Sequence, residues 1–209
     1  MQVSTCIGDE YMYDETQLKI IDATMTLIIE KGYSGATTKN IATLAGVNEC
    51  TIFRRFREKK EIVLAALSLP KWNPGLKRED FVYSGDLVAD LMSFSTVYTT
   101  KVTTRMMKVS VGLRTAELEG AALPEIMQVP LLFKSVLMEY FDEMQKKGII
   151  RKCDIEAIAM QFISMNFGFI FLDASFGDKL ISISKEDYIT ESVEVFAKGI
   201  SVNTDNILS

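Results

Sequence analysis

Apolar residues recur at three- and four-residue steps along most of the chain, beginning with Leu18, Ile21, Met25, Ile28 and Ile29. That is the period of an amphipathic helix. It predicts a first helix over residues 14 to 31, opened by Asp14 and Gln17 in capping-box spacing and stopped at Gly32. Thr37 is placed to cap a short second helix whose Ile41 and Leu44 face inward. Gly46, within Ala45-Gly46-Val47, supplies the left-handed backbone of a tight turn. Asn48 then caps a third helix with Ile52 and Phe56 on one face, and a fourth follows over 59 to 69. Pro70, Asn73, Pro74 and Gly75 mark a break.

Beyond the break the pattern predicts helices at about 85 to 100, 101 to 118, 125 to 148, 154 to 176 and 185 to 200, with turns at Gly120, Gly148 and Gly177. Pro130 is expected to kink or split the third of these. No strand pattern is evident, so the fold class is all-α: an N-terminal three-helix helix-turn-helix domain and a larger C-terminal helical domain. The domain bounds are 14–69 and 76–201. Residues 155 to 176 are apolar nearly all round, but only 16 residues separate Glu156 from Asp173 and they include Gln161, Ser164 and Asn166. That is short of the roughly 20 apolar residues of a membrane span, so a buried helix is expected and no membrane partner. The two amides there need partners, across a dimer or from a ligand. Ile189, Val193, Phe196, Ala197 and Ile200 form one stripe on the last helix. Two such helices meeting their symmetry mates make a four-helix homodimer interface.

Composition narrows the chemistry. The chain has no histidine, which removes the commonest general base and most catalytic zinc sites. No phosphate loop, dinucleotide turn or nucleophile elbow is present. An enzyme is therefore not expected, nor a metal or cofactor. Cys6, Cys50 and Cys153 are odd in number and far apart, matching no disulfide framework. The first thirteen residues lack lysine, arginine and an apolar run, so they read as a loose tail on a cytoplasmic protein. Net charge is −5 overall, yet residues 31 to 60 carry +5 and the 139 residues after Pro70 hold 19 acidic and 15 basic side chains. A polyanion would dock on the basic window.

That window contains the pattern of two short capped helices joined by a glycine turn, Thr37 to Phe56, which is a helix-turn-helix. With Ile52 and Phe56 inward, Cys50, Phe53, Arg54 and Arg57 point away, with Thr51 on the flank. Short side chains let such a helix approach the floor of the major groove, and arginine can bond guanine edges or phosphate. The start of the helix at Asn48 can also receive a phosphate. Gly32-Tyr33, Ile41-Ala42, Ala45-Gly46-Val47, Thr51-Ile52-Phe53-Arg54-Arg55-Phe56 and Lys59 together resemble the N-terminal domain of the TetR family over residues 16 to 67. Past the break the likeness rests on helix order and Gly148-Ile149-Ile150-Arg151.

The resemblance implies a homodimeric regulator, usually a repressor, whose C-terminal domain binds a small apolar or amphipathic effector that releases it from a palindromic double-stranded operator. An activator or adaptor without an effector is the alternative. Matching positions imply phosphate contacts at Thr37 and Lys59 and a recognition face of Asn48, Cys50, Thr51, Phe53 and Arg54. Thr38 and Lys39 join these as DNA-binding candidates. Phe53 stands where the family usually has tyrosine, and Arg54 or Arg55 is placed to compensate for the missing hydroxyl. Glu49 adds an acceptor that either reads cytosine or repels the backbone, and Cys50 beside it is a candidate redox switch. Eight of eleven methionines follow the break, with many aromatics. Soft and aromatic side chains suit an effector pocket, for which Phe94, Tyr98, Met106, Phe133, Tyr140, Met165 and Phe169 are candidates. Arg105, Arg114 and Glu139 are read as solvated surface or as polar handles for the same ligand.

Overall fold

In a computed structural model of the chain, residues 13–116 and 118–202 are described. The N-terminal tail up to residue 12, Cys6 with it, lies outside them. Two compact units divide between Leu69 and Pro70. The described residues are helical throughout, apart from turns and one isolated bridge between Ile150 and Ser201.

In the first unit α1 spans Glu15–Gly35, α2 Thr38–Ala45, α3 Glu49–Arg55 and α4 Lys59–Leu67. The capping box forms as read: the Gln17 amide donates to Asp14 at 2.9 Å and the Asp14 amide to the Gln17 side chain at 3.0 Å. Gly32 breaks the regular helix of α1 where the sequence places its stop. Its backbone turns to φ 71, ψ 171, and a last turn runs on to Gly35. α1 packs on α2 and α4, burying Ile20, Ile21, Met25, Ile28, Ile41, Ile52 and Ile62. Leu44, expected inward, is 53% exposed; the small unit closes over Ile41 and Ala42, one turn earlier.

In the second unit α5 spans Leu87–Lys101, α6 Thr104–Gly112, α7 Glu119–Lys146, α8 Ile155–Phe176 and α9 Lys185–Ile200. α6 stops at Gly112, short of the expected 118. α7 starts earlier than expected, holds Gly120 in its first turn, and carries Pro124 and Pro130 in one continuous helix. Each proline removes a single backbone donor, and a helix of 28 residues retains enough others not to split. The core is aromatic: Tyr98 stacks on Phe133 at 4.5 Å, Phe94 meets Tyr140 edge-on at 5.1 Å, and Phe81 from the segment before α5 stacks on Phe133 at 5.2 Å. That segment is clasped from outside by Arg78 on Glu139, Lys101 on Asp80 and Tyr83 on Glu143. Beneath it Asp90, 3% exposed, accepts from the amides of Ser84 and Gly85 and the hydroxyls of Ser84 and Tyr140.

Two expectations for the last helices change. Ile189, Val193, Ala197 and Ile200 are at most 6% exposed and face the chain's own core. The outward apolar residues are Met160, Leu172 and Phe176 on α8 and Val195 on α9, the last 72% exposed. Periodicity identifies residues that share a face without saying what covers it. Segments Gly120–Lys146 and Ile155–Lys179 are also long and apolar enough to cross a membrane by length and composition, because averaged hydropathy tolerates the interspersed amides. Only 33% of the second one's most apolar stretch is buried within the chain. Asn166, 1% exposed, donates to the Phe162 carbonyl of its own helix at 2.9 Å, so its partner is intrahelical, and Gln161 is exposed.

Candidate DNA-recognition surface

The surface is built by the turn between α2 and α3. Thr37 accepts from the Asn40 amide at 3.2 Å, which opens α2, and Gly46 closes it in the left-handed region at φ 67, ψ 34. The Val47 amide returns to the Ala42 carbonyl at 3.0 Å. Asn48 then accepts from the Cys50 amide at 2.9 Å and opens α3. Ile52 and Phe56, 1% and 6% exposed, anchor α3 to the unit. Cys50, Phe53, Arg54 and Arg57 project outward, with Thr51 half-buried on the flank. Lys39 is exposed on α2. Among the described residues Lys39 and Arg54 form no ion pair, which leaves both charges available to a polyanion.

Other candidates are engaged within the unit. Arg55 pairs with Asp14 at 2.8 Å. The Lys59 ammonium donates to the Tyr33 carbonyl at 2.7 Å and lies 3.8 Å from the centre of the Tyr33 ring. Thr38 donates its hydroxyl to the Glu49 carboxylate across the α2–α3 turn. From sequence Asp14 is only a helix cap and Tyr33 only part of the family resemblance, and neither is a candidate partner for a basic residue of this surface. Their partners lie 26 and 41 positions away, and no local signal links them. Cys50 is a free, exposed thiol. Among the described residues no group of three His, Cys, Asp or Glu side chains is placed to hold a metal.

In the second unit the seven effector candidates separate into two groups. Phe94, Tyr98, Phe133 and Tyr140 are at most 2% exposed and pack on one another. Burial pushes the Tyr98 phenol up to about 12, and burial with the neighbouring Asp90 carboxylate raises that of Tyr140. Both rings therefore stay neutral and serve as hydrogen-bond donors or as apolar bulk. Met106 is half-buried. Phe169 lines a groove of about 510 Å³ between the α5–α6 junction and the start of α9, with Thr99, Thr103, Asp173, Ile181 and Glu186. Met165 lines an apolar groove of about 380 Å³ with Val195 and Phe196. Arg105 lies 4.0 Å over the ring of Trp72, Glu139 holds Arg78, and Arg114 is exposed.

Comparison with known proteins addresses both units. The family profile described as "Bacterial regulatory proteins, tetR family" matches residues 20–66, and "AefR-like transcriptional repressor, C-terminal domain" matches 87–199. The uncharacterized HTH-type transcriptional regulator YvkB of Bacillus subtilis is 33% identical over 188 residues, covering 90% of this chain and 98% of that protein. Among solved structures, NalD, the secondary repressor of the MexAB-OprM multidrug efflux pump in Pseudomonas aeruginosa, has a TM-score of 0.69 at 17% identity, covering 90% of this chain and 97% of its own. AibR in complex with isovaleryl coenzyme A and operator DNA has a TM-score of 0.65 at 18% identity, covering 87% and 97%. With profiles matching both halves and a relative matching nearly end to end, the chain belongs to the tetR family of bacterial regulatory proteins, which regulate transcription through a helix-turn-helix.

Proposed function

We propose that the protein is a cytoplasmic, non-enzymatic repressor that binds a palindromic operator as a homodimer and is released by a small apolar or amphipathic effector. Residues 14–69 act as the DNA-binding domain and 76–201 as the effector-binding and dimerisation domain. One observation supports this reading most: a doubly capped α2–turn–α3 that buries Ile52 and Phe56 while presenting Cys50, Phe53 and Arg54 from a +5 segment of an acidic chain. Thr37, Thr38, Lys39, Asn48, Glu49, Thr51, Arg55 and Lys59 complete or support that surface. The outward apolar faces of α8 and α9 suit a second copy meeting them in a four-helix interface. The groove beside Phe169, with hydroxyls and carboxylates over an apolar floor, suits an amphipathic effector.

Titration of duplexes from upstream of the protein's own gene, against scrambled duplexes at several salt concentrations, tests the DNA reading. Tight binding to the native duplex with a steep salt dependence is expected. Equal affinity for both duplexes sinks it. The close packing of Phe94, Tyr98, Phe133 and Tyr140 favours one second reading, an activator or adaptor with no effector. A thermal-shift screen of amphipathic compounds separates the two, since a ligand bound only to the folded state raises the melting temperature.

A further inference from the structure

We propose that Glu49 is a base-selecting residue, held by Thr38 so that its carboxylate requires a cytosine amino group at one position of each operator half-site. The inference rests on the reading of α3 as the helix that enters the major groove. Glu49 opens α3 and stands four residues before Phe53, on the same side of the helix. Phe53 is 54% exposed whereas Ile52, three residues after Glu49, is buried, so the half-buried Glu49 stands at the rim of the face that α3 turns out of the unit. Thr38 opens α2, eleven residues earlier, and its hydroxyl donates to Glu49 Oε1.

This contact fixes the direction of a long side chain without neutralising it. A hydroxyl occupies one of about four acceptor positions on a carboxylate and leaves its charge intact. No cation does otherwise: Glu49 forms no ion pair among the described residues, and Arg55, six residues along the chain, pairs with Asp14 at 2.8 Å. A full negative charge therefore stands at the edge of a surface that must approach phosphates, which repel it. It is tolerated at such an interface only where it meets a hydrogen-bond donor.

The major-groove edges of the bases decide which donor. Guanine presents acceptors, thymine an acceptor and a methyl group, and adenine a donor beside an acceptor. Cytosine presents a donor with no acceptor next to it. A fixed group that can only accept thus favours cytosine over all three others. The free alternative, a mobile Glu49 turned towards solvent, is what the Thr38 hydroxyl prevents.

The test is selection of the full-length protein on a random duplex library, followed by the same selection with Glu49→Gln, Thr38→Val and Thr38→Ser. The wild type is expected to enrich cytosine in one column of each half-site. Glu49→Gln keeps the shape but adds a donor, as adenine requires, and should move that column towards adenine by about tenfold with the others unchanged. Thr38→Val should flatten the same column, and Thr38→Ser, which keeps the hydroxyl, should restore it. A Glu49→Gln motif identical to the wild type in every column overturns the proposal, and so does an unaltered Thr38→Val motif. Failure of the wild type to enrich any motif overturns the recognition-helix reading itself, a result distinct from a motif that ignores Glu49. Melting curves of each variant establish that folded protein is being compared.

Discussion

At the scale of single residues, two basic side chains close together in sequence have different occupations. Arg54 projects outward and forms no hydrogen bond or ion pair among the described residues, whereas Lys59 is engaged with the carbonyl and ring of Tyr33. Replacing Lys59 by methionine should therefore cost stability, about 1 to 2 kcal/mol from a charge-assisted hydrogen bond and a cation–π contact, read as a lower melting midpoint. Replacing Arg54 by alanine should leave the midpoint within about 0.5 kcal/mol of the wild type. Operator affinity should instead fall by on the order of 1 to 3 kcal/mol per half-site, with relaxed preference at particular base pairs. A Lys59→Met protein that melts like the wild type while losing affinity equally on operator and scrambled duplexes assigns Lys59 to phosphate rather than to Tyr33. The sequence resemblance alone leads to that phosphate role; the position of Tyr33 favours the structural one.

Among the elements, the segment before α5 is held by two kinds of contact that respond to different perturbations. Inside, Asp90 accepts from four donors in a buried site. Asp90→Ala leaves two amides and the Tyr140 hydroxyl without an acceptor, a loss on the order of 3 kcal/mol, measurable as a lower denaturant midpoint. A variant within about 0.5 kcal/mol of the wild type would show that water takes over those donors. Outside, Arg78 holds the Glu139 carboxyl below its ordinary value of 4.5, and Lys101 holds that of Asp80 below 3.8. Both groups bind a proton less readily in the folded chain than in the unfolded one. Their contribution is complete above the ordinary values and lost as pH falls beneath them through the lowered ones. The only tryptophan, Trp72, is 2% exposed under Arg105 in the same stretch of chain, so its emission reports the release. A red shift is expected only below about pH 4.5; one beginning near neutrality shows that other groups hold the segment.

For the whole molecule, the assignment of faces on α8 and α9 determines how a second copy is met. Val193 is fully buried and Val195, two residues on, is 72% exposed. An aspartate at either position has opposite consequences. Val195→Asp should give a folded monomer, because it sets a charge into an apolar contact between copies. Val193→Asp should instead unfold the second unit, since the charge falls within a core that offers no cation. Sedimentation together with circular dichroism separates the two outcomes. A Val195→Asp protein that remains a dimer at micromolar concentration places the interface elsewhere. A dimer partner also accounts for the long apolar stretch of α8, most of which the chain itself leaves uncovered.

What the sequence determined by itself was everything set by short range. The capping box at Asp14, the caps at Thr37 and Asn48, the left-handed turn at Gly46 and the inward pair Ile52 and Phe56 all follow from residues within one or two helical turns of each other. They were enough to outline the helix-turn-helix and most of its outward residues. Only the tertiary structure decided the rest. It turned Leu44 out and Val193 in, because a helical period marks a shared face but not the surface that covers it. It kept α7 whole through two prolines, because the cost of a lost donor is weighed against the packing of the entire helix. It joined Thr38 to Glu49, Lys59 to Tyr33 and Asp90 to Tyr140, pairs 11, 26 and 50 residues apart. Such pairs form when helices that are stable only in contact meet in one arrangement, and no local pattern in the chain records which side chains that arrangement brings within reach.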